Sequence, residues 1–407
     1  MKKIVIPLII FLLAVIALQN RDFFQRLRQK TPSSGLPLPQ SMTAQTAWMA
    51  GFAIKKANFT NPVAGGQTSY AIAFWYPTLE TPRQYTYSER RSGSVTLNAS
   101  LAQWQKPYPI LVFAHGAYGS ALNISYFAEY AAQRGFIVAG LDYIDTGAPD
   151  FQKPLSFERI EGAPQGSNLE ILRSVRAMKP EADKDRNYLF SYLEKHRLPQ
   201  TRSFVDYLMS ENQNQSSWLY QTIDPRQIGA IGHSLGGMTM YGVTGAHPNP
   251  SFKDTRIKTL LIFSSPTYPF ENSFQGVNIP LMLMVGENDE AYFGDLPRRI
   301  AYDIAKPPKY YLVLDDSTHF SFSSPENSTH AEAISSYGLA FSQKYLIGAN
   351  TGDEMLSKKT PAWAYYVSEE TSGAKLEFGT EPPAGENSAR EGIRDIILKR
   401  LRERRLQ

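Results

Sequence analysis

The chain has 407 residues, 42% of them apolar and 20% charged, and contains no cysteine. That excludes disulfides, a thiol nucleophile and an N-terminal lipidated cysteine, and it leaves room for one large α/β domain with additions. A net charge of +4 is too small to argue for nucleic acid. No zinc-ligand spacing, phosphate loop or basic-aromatic interleaving is present.

Lys2 and Lys3 precede an apolar run from Ile4 to Leu18. Residues 1–20 therefore read as a targeting segment, either a cleaved signal peptide or an N-terminal membrane anchor acting through residues 4–18. In both cases the body of the protein is expected to be exported: periplasmic, membrane-anchored or secreted. Residues 21–50 read as a linker, with Pro, Ser and Gln clustered from Thr31 to Gln45. Strands are expected at Phe52 to Phe59 and Tyr70 to Tyr76, and an irregular polar stretch over 78–107. Pro109 to Ala114 is fully apolar, as a parallel strand buried on both faces would be. A helix at Ile124 to Arg134 and a strand at Phe136 to Leu141 follow.

About 60 residues then precede the helix at Thr201 to Ser210, too long for a structureless loop. Helical spacing within Asn168 to Lys195 suggests a helical cap insert, 148–200, over the site. Strands are expected at Ile228 to Ile231, Thr259 to Phe263, Leu281 to Val285 and Tyr310 to Leu314, and a last helix over His330 to Leu346. The alternation predicts an α/β fold, a mostly parallel central sheet flanked by helices, spanning 51–347. Residues 348–407 read as a C-terminal extension. It holds a hairpin candidate (Ala362 to Ser368 with Lys375 to Phe378) and ends in a basic helix, Ala389 to Leu406. That helix could dock on the body or lie on a membrane surface.

Gly232-His233-Ser234-Leu235-Gly236 sits where an apolar strand gives way to a helix. A chain of this length yields roughly 0.1 chance matches to Gly-X-Ser-X-Gly. In this context the small residues let strand and helix pass closely, and Ser234 is pushed out of the sheet edge as a nucleophile. A serine hydroxyl needs a base. Of six histidines, His319 follows the last strand by a few residues, where the base of this fold belongs. His196 and His330 read as solvated helix residues, His247 as a helix end and His233 as packed inside the elbow. The acid is expected to leave the preceding strand, with Asp289 first and Glu287 second. The amides of Leu235 and Ala117 are the expected oxyanion donors. Aromatic residues nearby (Tyr118, Tyr126, Phe127, Tyr143, Phe320, Phe322) would suit an apolar acyl pocket or an ordinary core.

The succession Phe74-Trp75-Tyr76-Pro77, Pro109 to Gly116, Ala131 to Asp142, Arg202 to Asp206 and Gly232 to Gly237 resembles the secreted-type platelet-activating factor acetylhydrolases. It is equally similar to the bacterial dienelactone-hydrolase-like α/β-hydrolases, over roughly residues 50 to 347. The resemblance implies an esterase for short or truncated acyl groups with no metal or cofactor. It supports Ser234, His319, Leu235 and Ala117 in the roles given. Two departures stand out. The acetylhydrolases place their acid near what is Ser264 here, and true dienelactone hydrolases use a cysteine. The expected function is that of a serine hydrolase cleaving carboxyl esters of small-molecule or lipid-like substrates, with no nucleic-acid partner. Acyl transfer or amide and peptide cleavage on the same triad, and a catalytically silent envelope binding protein, are the other readings.

Overall fold

The computed structural model describes residues 48–61, 66–88, 91–104, 106–117, 119–143, 145, 173, 183–267, 269–270, 273–289, 299–325 and 327–381. The expected targeting segment, most of the linker, most of the cap insert and the basic helix at 389–406 lie outside them. Among the described residues no helix is long and apolar enough to cross a membrane.

Two long antiparallel strands open the fold, β1 (Met49–Asn61) and β2 (Gly66–Thr78). The stretch read as irregular holds a hairpin, β3 (Arg83–Ser88) and β4 (Arg91–Leu97). Its strands present few apolar residues, so the period-two signal is faint. Tyr85 and Tyr87 pack on the Phe52 ring at 5.3 and 5.0 Å and Val95 joins the core, and a chain of polar bonds adds to this hold. Trp75 Nε1 donates to the Tyr87 hydroxyl at 2.9 Å, which donates to Glu129 Oε1 at 2.7 Å. Glu129 Oε2 accepts from the Ser94 amide at 3.0 Å. Burial holds the Glu129 carboxyl above its usual range despite these bonds.

The α/β alternation follows: β5 (Tyr108–Ala114), α1 (Ser125–Ala132), β6 (Ile137–Leu141), α2 (Asp183–Tyr192), α3 (Leu198–Gln213) and β7 (Ile223–His233). Then come α4 (Leu235–Tyr241), β8 (Ile257–Phe263), β9 (Leu281–Gly286), α5 (Ile300–Ile304), β10 (Lys309–Leu314) and α6 (Ser328–Ile347). The chain continues through α7 (Asp353–Leu356), β11 (Trp363–Glu369) and β12 (Lys375–Phe378). The twelve strands among the described residues form one sheet, ordered β12-β11-β10-β9-β8-β7-β5-β6-β2-β1-β4-β3. The six from β6 to β10 are parallel, and every residue of β5, β6, β9 and β10 is buried. Helices cover both faces, which is why these strands read as unbroken apolar runs. Strand order reverses at β5, with β6 on one side and β7 on the other. The crevice at their carboxyl ends is therefore the switch point where ligands bind in such sheets.

Two boundaries differ from the expected ones. Within the expected cap, α2 and a π-helical turn (Leu193–Arg197) run directly into α3. Leu189, Tyr192, Leu193 and Leu198 are buried in the same core cluster as the strands, so this portion packs into the body. Their spacing looked like that of a separate insert because an uninterrupted helix shows the same period. Residues 348–381 do not leave the domain. β11 pairs antiparallel with β10 and covers its edge, and Trp363 and Tyr366 are fully buried.

Candidate active site

The elbow is tightly packed. Ser234 has φ 54° and ψ −123°, a left-handed backbone that a non-glycine residue adopts only under constraint. The constraint is the approach of α4 to β5: a methyl group at Gly236 would lie on the Ala114 carbonyl oxygen. The Ser234 amide donates to the Phe263 carbonyl at 3.1 Å, and its own carbonyl accepts from the Gly237 and Met238 amides at 2.8 and 3.2 Å. As the first residue of α4, Leu235 has an amide with no acceptor inside the helix. On the facing side, a Cβ at Gly116 would stand 3.1 Å from the Ser234 Cβ, so the loop after β5 runs against the elbow serine. Ala117 follows in a turn closed by the Gly119 amide on the Gly116 carbonyl at 3.0 Å.

Beyond β8, the ends of β9 and β10 bring Asp289 and His319 together. His319 Nδ1 lies 2.9 Å from Asp289 Oδ1, and both side chains are buried. A carboxylate only accepts, so Nδ1 carries the proton and Nε2 is the acceptor nitrogen. The two loops are joined by backbone. Asn288 N–H donates to the Ser317 carbonyl at 2.8 Å, and Glu287 Oε2 accepts from the Asp316 amide at 3.0 Å. Glu287 thus braces the histidine loop and Asp289 meets the imidazole. Thr318 caps the short helix His319–Phe322, and Arg91 from the β3–β4 hairpin donates to the Ser323 carbonyl at 2.6 Å. Ser264, where the resembling family would have its acid, is fully buried with φ 43°. Its hydroxyl has no partner among the described residues.

Two further histidines flank the site. His233 Nε2 lies 3.0 Å from the His319 carbonyl and must donate, and the two rings are 4.9 Å apart. Burial first, then the neighbouring His319 and Arg91, pulls its pKa from the usual 6.5 to about 3. His115 accepts from the Tyr143 amide at Nε2, 3.2 Å away, so its Nδ1 donates to the Gly116 carbonyl at 2.6 Å. Burial, then Arg197, brings it to about 3 as well. Both rings are therefore neutral donors that hold backbone at the site. The sequence placed His233 inside the elbow and gave no bonding role to either; a histidine beside each loop glycine was the only available sign.

Behind His115 lies a fully buried ion pair. Arg197 Nη2 is 2.7 Å from Asp145 Oδ2, its Nη1 donates to the His115 carbonyl at 2.9 Å, and the Tyr192 hydroxyl donates to the same carboxylate oxygen at 2.8 Å. The guanidinium also stacks on the Tyr143 ring at 4.2 Å. Arg197 thereby ties the loop that carries Gly116 and Ala117 to the α2–α3 junction.

Of the six aromatic residues considered for an acyl pocket, Phe127 and Phe322 pack on Phe263 in the core, and Tyr143 bonds Thr201 at 2.7 Å. Tyr126 donates to the Phe322 carbonyl at 3.0 Å, and Tyr118 lies outside the described residues. Only Phe320 stands exposed, edge-on to the His319 ring at 5.7 Å. His330, expected in solvent, is buried at the start of α6.

A mostly parallel sheet, an elbow serine at its switch point and an Asp-His pair at neighbouring strand ends define an α/β-hydrolase. Residues 192–371, the stretch that carries Ser234, Asp289 and His319, match the family model described as PET hydrolase-like. No curated protein matches the chain.

Replacing Arg197 by Met should lower the unfolding free energy by about 3–5 kcal/mol in urea titrations, since it strands a buried carboxylate. The double variant Arg197→Met, Asp145→Leu should recover much of that loss; a single-variant loss under about 1 kcal/mol would contradict the pairing. The folded-state pKa values of His115 and His233 lie below the unfolded value near 6.5. The unfolded chain therefore takes up protons first as pH falls. Their contribution to stability is complete above pH 6.5 and declines toward pH 3, by up to about 1.4 kcal/mol per pH unit for each ring. The urea midpoint should fall between pH 7.5 and pH 5, and fall less in His233→Gln.

Proposed function

We propose that the protein hydrolyses carboxyl esters through an acyl-serine intermediate. The observation that carries this reading is the 2.9 Å contact between His319 Nδ1 and Asp289 Oδ1 on strand ends beside the strained Ser234. His319 Nε2 takes the Ser234 proton as Oγ attacks the ester carbonyl. The tetrahedral oxyanion faces the amides of Leu235 and Ala117. Collapse breaks the ester C–O bond, and the alkoxide leaves with the proton from His319. Water, deprotonated by the same nitrogen, then attacks the acyl-serine and releases the carboxylic acid. Asp289 keeps the imidazole in the Nδ1–H tautomer and stabilises the imidazolium without taking the proton.

Short or truncated acyl groups are the proposed substrates. The family resemblance supports this, as does the use of Phe127, Phe322 and Tyr143 in packing, which leaves Phe320 as the apolar surface beside the base among the residues considered. The Lys2-Lys3 start and the apolar run from Ile4 to Leu18 support an exported enzyme.

Asp289→Asn should lower kcat on p-nitrophenyl acetate by about 10⁴-fold while leaving the fold intact. Glu287→Gln should change kcat little. Assays on acetate, butyrate, octanoate and bis(2-hydroxyethyl) terephthalate esters would rank the acyl groups. Undiminished turnover in Asp289→Asn, or a preference for octanoate, would overturn the corresponding part of the reading.

A further inference from the structure

A second concavity lies at the opposite end of the sheet. Tyr108 and Ile223, the first residues of β5 and β7, line it. The carboxyl end of β5 is roughly 20 Å away at ~3.3 Å per residue, so the cavity shares nothing with the triad. Its volume is about 1070 Å³, ample for a ligand of several rings.

The walls have a consistent chemistry. Trp104 and Trp218 line the cavity, and Trp104 is 41% exposed. Both indoles pack on other rings: Trp104 lies edge-on to Trp48 at 5.0 Å, and Trp218 edge-on to Phe74 at 5.2 Å and tilted against Tyr76 at 5.0 Å. The exposed neutral amides Gln103, Gln215 and Gln221 share the lining. Among the described residues no carboxylate lines the cavity, and its charged groups are Lys55 and Lys106. Lys55 sits 5.7 Å from the centre of the Trp218 ring.

The backbone sets this end apart as well. Five non-glycine residues among those described have positive φ. Ser234, Ser264 and Asp316 stand at the strand ends around the triad. The other two, Asn98 (φ 52°) and Gln221 (φ 57°), both line this cavity. Strained backbone gathers where a surface is held ready for a ligand. The supporting loops are fixed to match: the Tyr76 and Tyr108 hydroxyls donate to the Ala99 and Ala102 carbonyls at 2.8 and 2.9 Å. The Asn212 amide both donates to and accepts from the Ile223 backbone, at 2.9 Å each way.

We propose that this cavity is a saccharide-binding site, separate from the ester-cleaving centre. Rigid indole faces cover the apolar C–H face of a sugar ring, and side-chain amides donate to and accept from its hydroxyls. A wall without carboxylates, with two lysines, accepts neutral sugars and carboxylated ones alike. Such a site would hold the enzyme on a polysaccharide while the opposite end works on esters.

Affinity electrophoresis of the full chain through gels containing hydroxyethyl cellulose, glycol chitin or polygalacturonate tests this directly. At least one polymer should retard the protein. Trp104→Ala should weaken that retention at least tenfold with an unchanged unfolding midpoint, and Gln215→Ala should weaken it less. Retention by polygalacturonate alone would identify carboxylated sugars as the ligand, and retention by the neutral polymers would identify uncharged ones. No retardation by any polymer, equal retardation of folded Trp104→Ala, or adsorption only to a terephthalate polyester film would overturn the proposal. None of these readings depends on ester turnover, so the proposal stands or falls apart from the assigned reaction.

Discussion

Everything at the candidate site follows from how closely α4 crosses the end of β5. The absent side chain of Gly236 lets the helix sit against the Ala114 carbonyl, and that crossing holds Ser234 in a left-handed backbone. Strain of this kind costs about 1–3 kcal/mol and persists only where the surroundings overdetermine it. Here the surroundings are the most buried strands of the sheet. The energy comes from the apolar burial of β5 through β10, and it holds one hydroxyl and the amides next to it at a sheet edge.

Three histidines meet around that point, and their environments divide the work. His233 and His115 are buried deeply enough to stay neutral, and each uses its single N–H on a carbonyl of the loop it supports. His319 alone is paired with a carboxylate. A neutral neighbour matters electrostatically. A charged His233 with its ring 4.9 Å from the His319 ring would oppose the imidazolium that general-base chemistry must form. The Arg197–Asp145 pair performs a similar service for the loop after β5. It is costly to bury, and its benefit is positional: one guanidinium fixes a carbonyl of the β5 loop, an aspartate and an aromatic face together.

Much of this was legible in the sequence. Parallel strands buried on both faces advertise themselves as apolar runs, so β5 through β10 were located to within a few residues except at the start of β7. The elbow was readable because close packing demands glycine at fixed offsets from the serine. The β3–β4 hairpin was not readable, because few of its residues are apolar and its hold on the body combines the Tyr85 and Tyr87 rings on Phe52 with a Trp75-Tyr87-Glu129 chain of polar bonds. Nor was the membership of β11 in the sheet, since pairing between residues 309–314 and 363–369 leaves no local trace. The roles of His233 and Arg197 depend on contacts across 52 to 86 positions, and that of His115 on the Tyr143 amide 28 positions away. A histidine beside a glycine looks the same in sequence whether it takes a proton or braces a loop.

The most direct measurement is fluorophosphonate labelling of the full-length protein followed by peptide mapping of the adduct. The account predicts one adduct, on Ser234, that disappears in Ser234→Ala without a change in the unfolding midpoint. A folded wild-type protein that takes no label, or one labelled at another residue, would contradict the assignment of the elbow serine as nucleophile.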